Sequence, residues 1–551
     1  MKFLKKKPFI WIILVSVTSL LAFNGPGDKY FEIAKNLDIF ATLFKEVNTY
    51  YVDEVNPNKM IKTGIDAMLG SLDPYTNYIP EDDIEDYRTM TTGQYGGIGA
   101  LIGTRNGKNM IIMPNEGFPA HKSGLKIGDE IINVDGIDVR NKVYSDISKL
   151  LRGQANTNLT ITVKRYGVAE PITVNLTREK ITIDNVPFYG MIDDQVGYIK
   201  LSDFTTNAGK EVKVALSELK SSGAQSIILD LRGNPGGLLN EAVNVSNIFI
   251  PKGSEVVSTK GKMTDWNKTY KALNLPVDEE LPVAVLTSSS SASASEIVAG
   301  VIQDYDRGVL VGQRTFGKGL VQATRPLTYN SQLKVTTAKY YIPSGRCIQA
   351  IDYSSRNEDG SVGKLPDSLK VAFKTRNGRT VYDGGGVDPD VLVDRSYLSP
   401  ILISLLTKNL IFDYVTEYHF SRPSIGDAAD FKLSDAEYEE FIKWLADKEY
   451  DYTTKVESSI DELTEFAKKE KYHEDIELQI KSLRSKVMHN KETDLQKFKK
   501  EIKEVLEEEI VSRYHLRKGV IENSFNHDRE VLEAISILND SKRYQDLVTG
   551  K

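Results

Sequence analysis

The stretch Leu281-Pro-Val-Ala-Val-Leu-Thr-Ser-Ser-Ser-Ser-Ala-Ser-Ala-Ser-Glu296 decides how this chain is read. A short apolar run, Val283 to Leu286, breaks into a serine-rich turn. From Ile297-Val298 to Val301-Ile302 apolar residues then recur at helical spacing. Val309-Leu-Val311 follows, and then Gly312-Gln-Arg-Thr-Phe-Gly-Lys-Gly-Leu-Val-Gln322. The pattern predicts strand, turn, helix, strand and a glycine-flanked lysine loop. A serine where a strand turns into a helix faces backbone N–H groups that lack partners, which suits a nucleophile beside an oxyanion site. Lys318 is a candidate base. A desolvated lysine loses proton affinity, and Gly317 and Gly319 let its backbone approach another segment closely.

Two competing readings attach to the same residues. Ser293-Ala-Ser-Glu296 is also a capping box, in which Ser293 would only cap a helix. Ser288 to Ser291 and Ser295 crowd it, so composition alone does not single out one serine. Gly312 to Lys318 fits the spacing of a phosphate loop. However, Gly319 stands where magnesium binding needs Ser or Thr, and Pro326 comes too soon for the long helix that should follow.

The rest of the chain narrows the chemistry. At 551 residues, 40% apolar and 27% charged, it has room for two to four globular domains. A net charge of −7 argues against nucleic acid as the main partner. The single cysteine, Cys347, excludes an intramolecular disulfide and a cysteine-based zinc site. His121 lies early, and His419, His473, His489, His515 and His527 lie late. A Ser-His-Asp triad would have to import its histidine from far away. Lys2, Lys5, Lys6 and Lys7 precede an uncharged run from Pro8 to Phe23, the pattern of a signal peptide or a short membrane anchor. Residues 1–25 are assigned to it, and the mature protein is expected outside the cytoplasm.

Residues 26–88 read as mostly helical. From Tyr95 the pattern turns to strands, with an Asn-Gly hairpin at Arg105-Asn-Gly-Lys108 and a tight turn at Asp135-Gly136. Tyr95-Gly-Gly-Ile-Gly99, Pro119-Ala120 with Ser123-Gly-Leu125, and Ile127-Gly-Asp-Glu-Ile131 through Val134-Asp-Gly136 resemble a PDZ domain, assigned to 89–172. In such a domain Gly96, Gly97, Ile98 and Gly99 would form a nest for a peptide's terminal carboxylate, and the adjacent strand edge would pair with the peptide. A dinucleotide fingerprint is disfavoured. The third glycine, Gly103, comes one residue late, and a hairpin follows where a helix is required. Residues 173–397 alternate strands with helices, predicting a partly parallel sheet. Residues 398–551 are helical, lysine- and glutamate-rich and poor in glycine. They suit an assembly or docking region, or solvated helices packed on the core.

Ser291-Ala-Ser-Ala-Ser-Glu-Ile297, Phe316-Gly-Lys-Gly319 with Gln322, and Asp230-Leu-Arg-Gly-Asn-Pro-Gly-Gly237 resemble the carboxyl-terminal processing (tail-specific) proteases. So do Leu72-Asp-Pro74, Ser344-Gly-Arg346 and Gly386-Val-Asp-Pro-Asp390. The resemblance implies an α/β protease core with a mixed, partly parallel sheet, an inserted β-rich PDZ domain and a helical C-terminal extension. It implies a serine endopeptidase that cuts proteins near their C-termini and needs no metal or cofactor. Ser293 would be the nucleophile, Lys318 the general base and Gln322 the residue orienting the lysine. Ala294 and either Gly236 or Gly237 would supply the oxyanion N–H groups. The partners implied are protein substrates held by their C-terminal tails, a homodimer, and a membrane only through the N-terminal segment. The location implied is the cell envelope, in the periplasm or on the inner membrane. The alternative is an envelope PDZ scaffold whose protease core is inactive.

Overall fold

The computed structural model describes residues 27–353, 356–357, 361–487 and 491–551. The basic start and the uncharged run to Phe23 lie outside the described residues. The chain forms two compact units, divided after Tyr78.

The first unit contains α1 (Gly27–Tyr50) and α2 (Pro57–Gly70). Asn56 starts α2 by accepting the Lys59 N–H at 3.1 Å, with Pro57 at the first helical position, where its missing donor costs nothing. Among the described residues no helix is long and apolar enough to cross a membrane.

The second unit begins its strand-rich part with β1 (Gln94–Gly97) and β2 (Ala100–Arg105), followed by β3 (Lys108–Pro114) and β4 (Glu130–Val134). Helix α3 (Tyr144–Leu151), β5 (Asn158–Lys164), β6 (Ile172–Thr177) and β7 (Glu179–Thr182) complete it. The sheet order is β2-β3-β4-β5-β6, so β2 is an edge strand. The Asn-Gly hairpin is present: Arg105 pairs with Lys108 while Asn106 (φ 49°) and Gly107 (φ 74°) take left-handed backbone. The entering strand β1 pairs with the departing β7, Gly96 opposite Lys180 and Gly97 opposite Glu179. The two ends of the module therefore lie together, as an inserted domain requires. Its strands run to Thr182, beyond the expected boundary at 172, because the last sheet strand, β6, and then the closing ribbon follow that point.

The core sheet is built from β8 (Phe188–Met191), β9 (Val196–Lys200), β10 (Ser226–Asp230), β13 (Val283–Thr287), β14 (Val309–Gly312) and β17 (Val391–Leu392), in that order. Only the β8–β9 pair is antiparallel. Its strands are continuously apolar because both faces are buried. Ile227, Leu229, Val283, Val285 and Leu310 face α4 (Ala208–Ser221), α5 (Leu239–Ser246) and α6 (Ala294–Asp304). The intervening Ile228, Ala284, Leu286, Val309 and Val311 face the other way. A second antiparallel sheet joins β11 (Glu255–Gly261) to β12 (Lys268–Lys271) and β16 (Gln332–Tyr341), and β16 to β15 (Leu320–Pro326).

The helical tail returns to this core. Helices α7 (Pro400–Thr407), α8 (Leu410–Ser421), α9 (Asp435–Trp444) and α10 (Lys499–Ser524) share their own apolar cluster. The last two, α11 (Arg529–Asn539) and α12 (Ser541–Thr549), cover the second face of the core sheet with Val531, Ala534, Ile537, Leu538, Tyr544 and Val548. The Tyr544 hydroxyl accepts the Val283 N–H at 3.1 Å. Of the two readings of the tail, packing on the core holds for its final segment.

Candidate active site

Strand β13 ends at Thr287, α6 starts at Ala294, and Ser293 between them has φ 56° and ψ −110°. A non-glycine residue held there is strained by about 1–3 kcal/mol, which surrounding contacts must impose. They are on hand. The Ser293 N–H donates to Glu296 Oε2 at 2.8 Å, as in a capping box. Glu296 is fully buried and also accepts the N–H of Lys318 (2.9 Å), the N–H of Gly317 (2.7 Å) and the Thr315 hydroxyl (2.6 Å). Burial pushes its carboxyl up from the usual range, and these four donors oppose the shift. The Tyr340 hydroxyl faces the carbonyls of Ser293 (3.1 Å) and Lys318 (2.8 Å). Burial raises that phenol well above its ordinary value.

Four of the five competing serines, all but Ser290, have side-chain bonds elsewhere. The Ser291 hydroxyl donates to the Leu231 carbonyl (2.8 Å) and that of Ser295 to the Asn234 carbonyl (3.0 Å); both side chains are fully buried. Ser288 accepts the Gly233 N–H at 3.1 Å, and Ser289 accepts from Arg395. The bonds of Ser288, Ser291 and Ser295 fasten the serine turn to Leu231–Asn234. The next residues close on Ser293 itself. A Cβ on Gly236 would lie 2.6 Å from the Ala292 carbonyl oxygen and 2.8 Å from Ser293 Cβ, so only glycine fits.

The lysine loop also approaches another segment closely. A Cβ on Gly317 would meet Ala350 at 2.4 Å, and one on Gly319 would meet the Gln349 backbone at 2.8 Å. The phosphate-loop reading fails here. The N–H groups of Gly317 and Lys318 are spent on a carboxylate, and Leu320–Pro326 is a strand.

Ser293, Lys318, Gln322, Ala294, Gly236 and Gly237 all line one cavity of about 450 Å³. No histidine lines it among the described residues. Gln322 sits at a bulge in β15 and donates its amide to Thr336 Oγ1 at 3.2 Å. Gly236 donates its N–H to Asn234 Oδ1 at 2.9 Å. The N–H groups of Gly237 and Ala294 make no hydrogen bond among the described residues. Sequence reasoning missed several wall residues, Tyr340, Asp203 and Lys334 among them, and Thr336 behind Gln322. It saw Glu296 only as a capping partner. Tyr340 lies near the end of β16, where Ala338, Lys339 and Tyr340 run buried, exposed, buried, which signals burial but names no partner. Burial lowers the Lys334 ammonium and raises the Asp203 carboxyl, the latter opposed by Arg517.

In the PDZ-like module the expected nest divides. Gly96 and Gly97 belong to the paired ribbon, and a Cβ on Gly96 would lie 1.9 Å from the Gly153 carbonyl oxygen. Ile98 and Gly99 form the turn, and their N–H groups take no partner among the described residues. Gly99 has φ 68°.

The peptidase family S41 model matches residues 195–355, the PDZ domain model 114–165, and the PDZ-protease C-terminal helical domain model 401–538. A carboxy-terminal-processing protease from Bartonella bacilliformis is 34% identical over 347 residues, 62% of this chain and 78% of that protein. The chain belongs to the carboxy-terminal-processing protease family. It is a serine protease of family S41 carrying a PDZ domain and a helical C-terminal region. A CtpA-like serine protease of Staphylococcus aureus, of the same family, is 35% identical over 343 residues, 61% of this chain and 68% of its own. The solved photosystem II D1 C-terminal processing protease is 27% identical, covering 64% of this chain and 92% of that one, with a TM-score of 0.35.

Proposed function

We propose that this family member cuts protein substrates near their C-termini with a Ser293/Lys318 dyad. The reading is carried by the shared backbone anchoring of the two residues at one cavity wall, beside two uncommitted N–H groups. Neutral Lys318 takes the Ser293 Oγ proton as Oγ bonds to the substrate carbonyl carbon. The N–H groups of Ala294 and Gly237 hold the resulting oxyanion; that of Gly236 is committed to Asn234 and is set aside. The C–N bond then breaks, with Lys318 returning its proton to the leaving amine. Water attacks the acyl-enzyme by the same route and frees Ser293. Gln322 orients the lysine from β15.

The PDZ domain is proposed to read the substrate's terminal carboxylate with the N–H groups of Ile98 and Gly99. The unpaired edge of β2, flanked by α3, would pair with the tail. The basic start and uncharged run imply export to the cell envelope, testable by fractionating cells. Tyr30, Phe31, Leu37 and Leu43 of α1 are exposed, and a second copy of the chain is the proposed cover. Sedimentation of the chain with and without Leu37→Asp measures this.

The test of the dyad is turnover of a generic unfolded protein by the wild type, Ser293→Ala and Lys318→Met. Turnover by the wild type and loss in both variants is expected, with the double variant no worse than either. Full activity in Lys318→Met at neutral pH would overturn the assignment. An inactive wild type that still binds tails would favour the scaffold alternative.

A further inference from the structure

The C-terminal helices touch both segments of the wall that carries Gly236 and Gly237. Arg232, two residues beyond the end of β10, is the main contact. Its Nη1 and Nη2 donate to the two carboxylate oxygens of Asp528, each at 2.8 Å. Nη2 also donates to Asp230 at 2.7 Å, and Nη1 reaches Glu530 at 3.3 Å. Asp230 is fully buried and accepts the Tyr198 hydroxyl at 2.6 Å, with Lys200 3.1 Å away. Lys200 in turn donates to the Arg232 carbonyl at 2.9 Å. Asp528 is meanwhile the cap of α11, accepting the N–H groups of Glu530 and Val531.

The second contact comes from α10. Arg517 donates to the Ser202 hydroxyl at 3.4 Å, two residues before Phe204. Phe204 donates its N–H to the Gly236 carbonyl at 3.3 Å and accepts the Leu238 N–H at 2.8 Å, so it brackets Gly237. Arg517 directly follows Leu516, whose backbone (φ 52°, ψ −153°) interrupts α10.

We infer that Arg232 is a positioning residue: through Asp528 it lets the C-terminal helical region hold the Gly236–Gly237 loop in register with Ser293. The inference rests on the reading of Gly237 as an oxyanion donor. Asp230, fixed at the end of β10, holds only the near side of the guanidinium. Asp528 approaches from a different layer of the fold, so the fork between the two carboxylates fixes the guanidinium, and with it the turn that follows. A donor displaced from the oxyanion loses most of its effect, which for a missing donor is about 10²–10³ in kcat.

The experiment is Asp528→Ser in the full chain. Serine keeps the cap of α11 but is too short to hold Arg232. The rate per active site, titrated with a serine-directed phosphonate, is expected to fall about tenfold or more through kcat, with KM little changed. Asp528→Asn keeps the cap and one acceptor and should recover part of the loss. Unchanged kcat per active site in Asp528→Ser, or a loss that disappears on normalising to active sites, overturns the inference. Should that variant not fold, Glu530→Gln and Arg232→Lys, read the same way, decide between the same outcomes. A wild type without Ser293-dependent turnover would instead remove the underlying reading.

Discussion

The backbone N–H groups of Ser293 and Lys318 converge on one oxygen, Oε2 of Glu296, at 2.8 and 2.9 Å. Ser293 and Lys318, the proposed nucleophile and base, lie on different elements, and a buried carboxylate registers them. Tyr340 repeats the tie on the carbonyl side of the same two residues.

Glu296→Gln tests this tie. Glutamine offers one acceptor oxygen and turns an NH₂ group toward N–H donors, so buried donors are left unmet at about 1–3 kcal/mol each. Turnover is expected to drop by about 100-fold or more, with a lower melting temperature. Wild-type kinetics in a folded Glu296→Gln protein would contradict it.

Tyr340→Phe removes only the hydroxyl between the two carbonyls. A net loss near 1 kcal/mol is expected in stability, and about a tenfold fall in kcat. Circular dichroism melting and steady-state kinetics measure the two separately.

Amidating a substrate's C-terminus removes the charge proposed to meet the N–H groups of Ile98 and Gly99 while leaving the scissile bond untouched. The specificity constant for a tailed protein should fall at least about tenfold, the scale of one charged hydrogen bond. A short peptide that reaches Ser293 unaided should change little. Equal cleavage of free-acid and amidated tails would remove tail recognition.

His419, on α8, is expected to make the stability of the helical region acid-sensitive. Burial first, and then the charges of Lys126, Arg513 and Arg165, hold its imidazole at about 4. Between that value and about 6.5, the unfolded chain binds a proton that the folded chain refuses, so stability falls as pH drops through this window and levels off below it. The ring is only half-buried, so the effect is expected at about 1–2 kcal/mol after allowance for solvent screening. Denaturant melts of wild type and His419→Gln at several pH values should diverge in this window.

Ala534 is fully buried where α11 covers the core sheet. Ala534→Asp places an unpaired carboxylate there, at a cost above about 3 kcal/mol. Loss of soluble full-length protein, or a strongly lowered thermal transition, is the expected readout.

The sequence by itself determined the features that depend on neighbours along the chain. The strand, serine turn and helix around Ser293 follow from apolar spacing. The Asn106-Gly107 hairpin follows from the need for positive φ, and the glycine-flanked Lys318 from close approach. The boundary of the PDZ domain was less legible, since β7 pairs with a strand more than eighty residues earlier. What only the tertiary structure decided are the assignments that depend on distant partners. Ser291 and Ser295 are distinguished from Ser293 by carbonyls on the loop after β10. Gly236 is distinguished from Gly237 by the bond its N–H makes to Asn234. The acidic, lysine-rich tail showed amphipathic helices, but an apolar stripe does not say which surface it will cover. That α11 and α12 close the second face of the protease sheet, and that Asp528 reaches Arg232, was settled only when segments nearly 300 residues apart met in space.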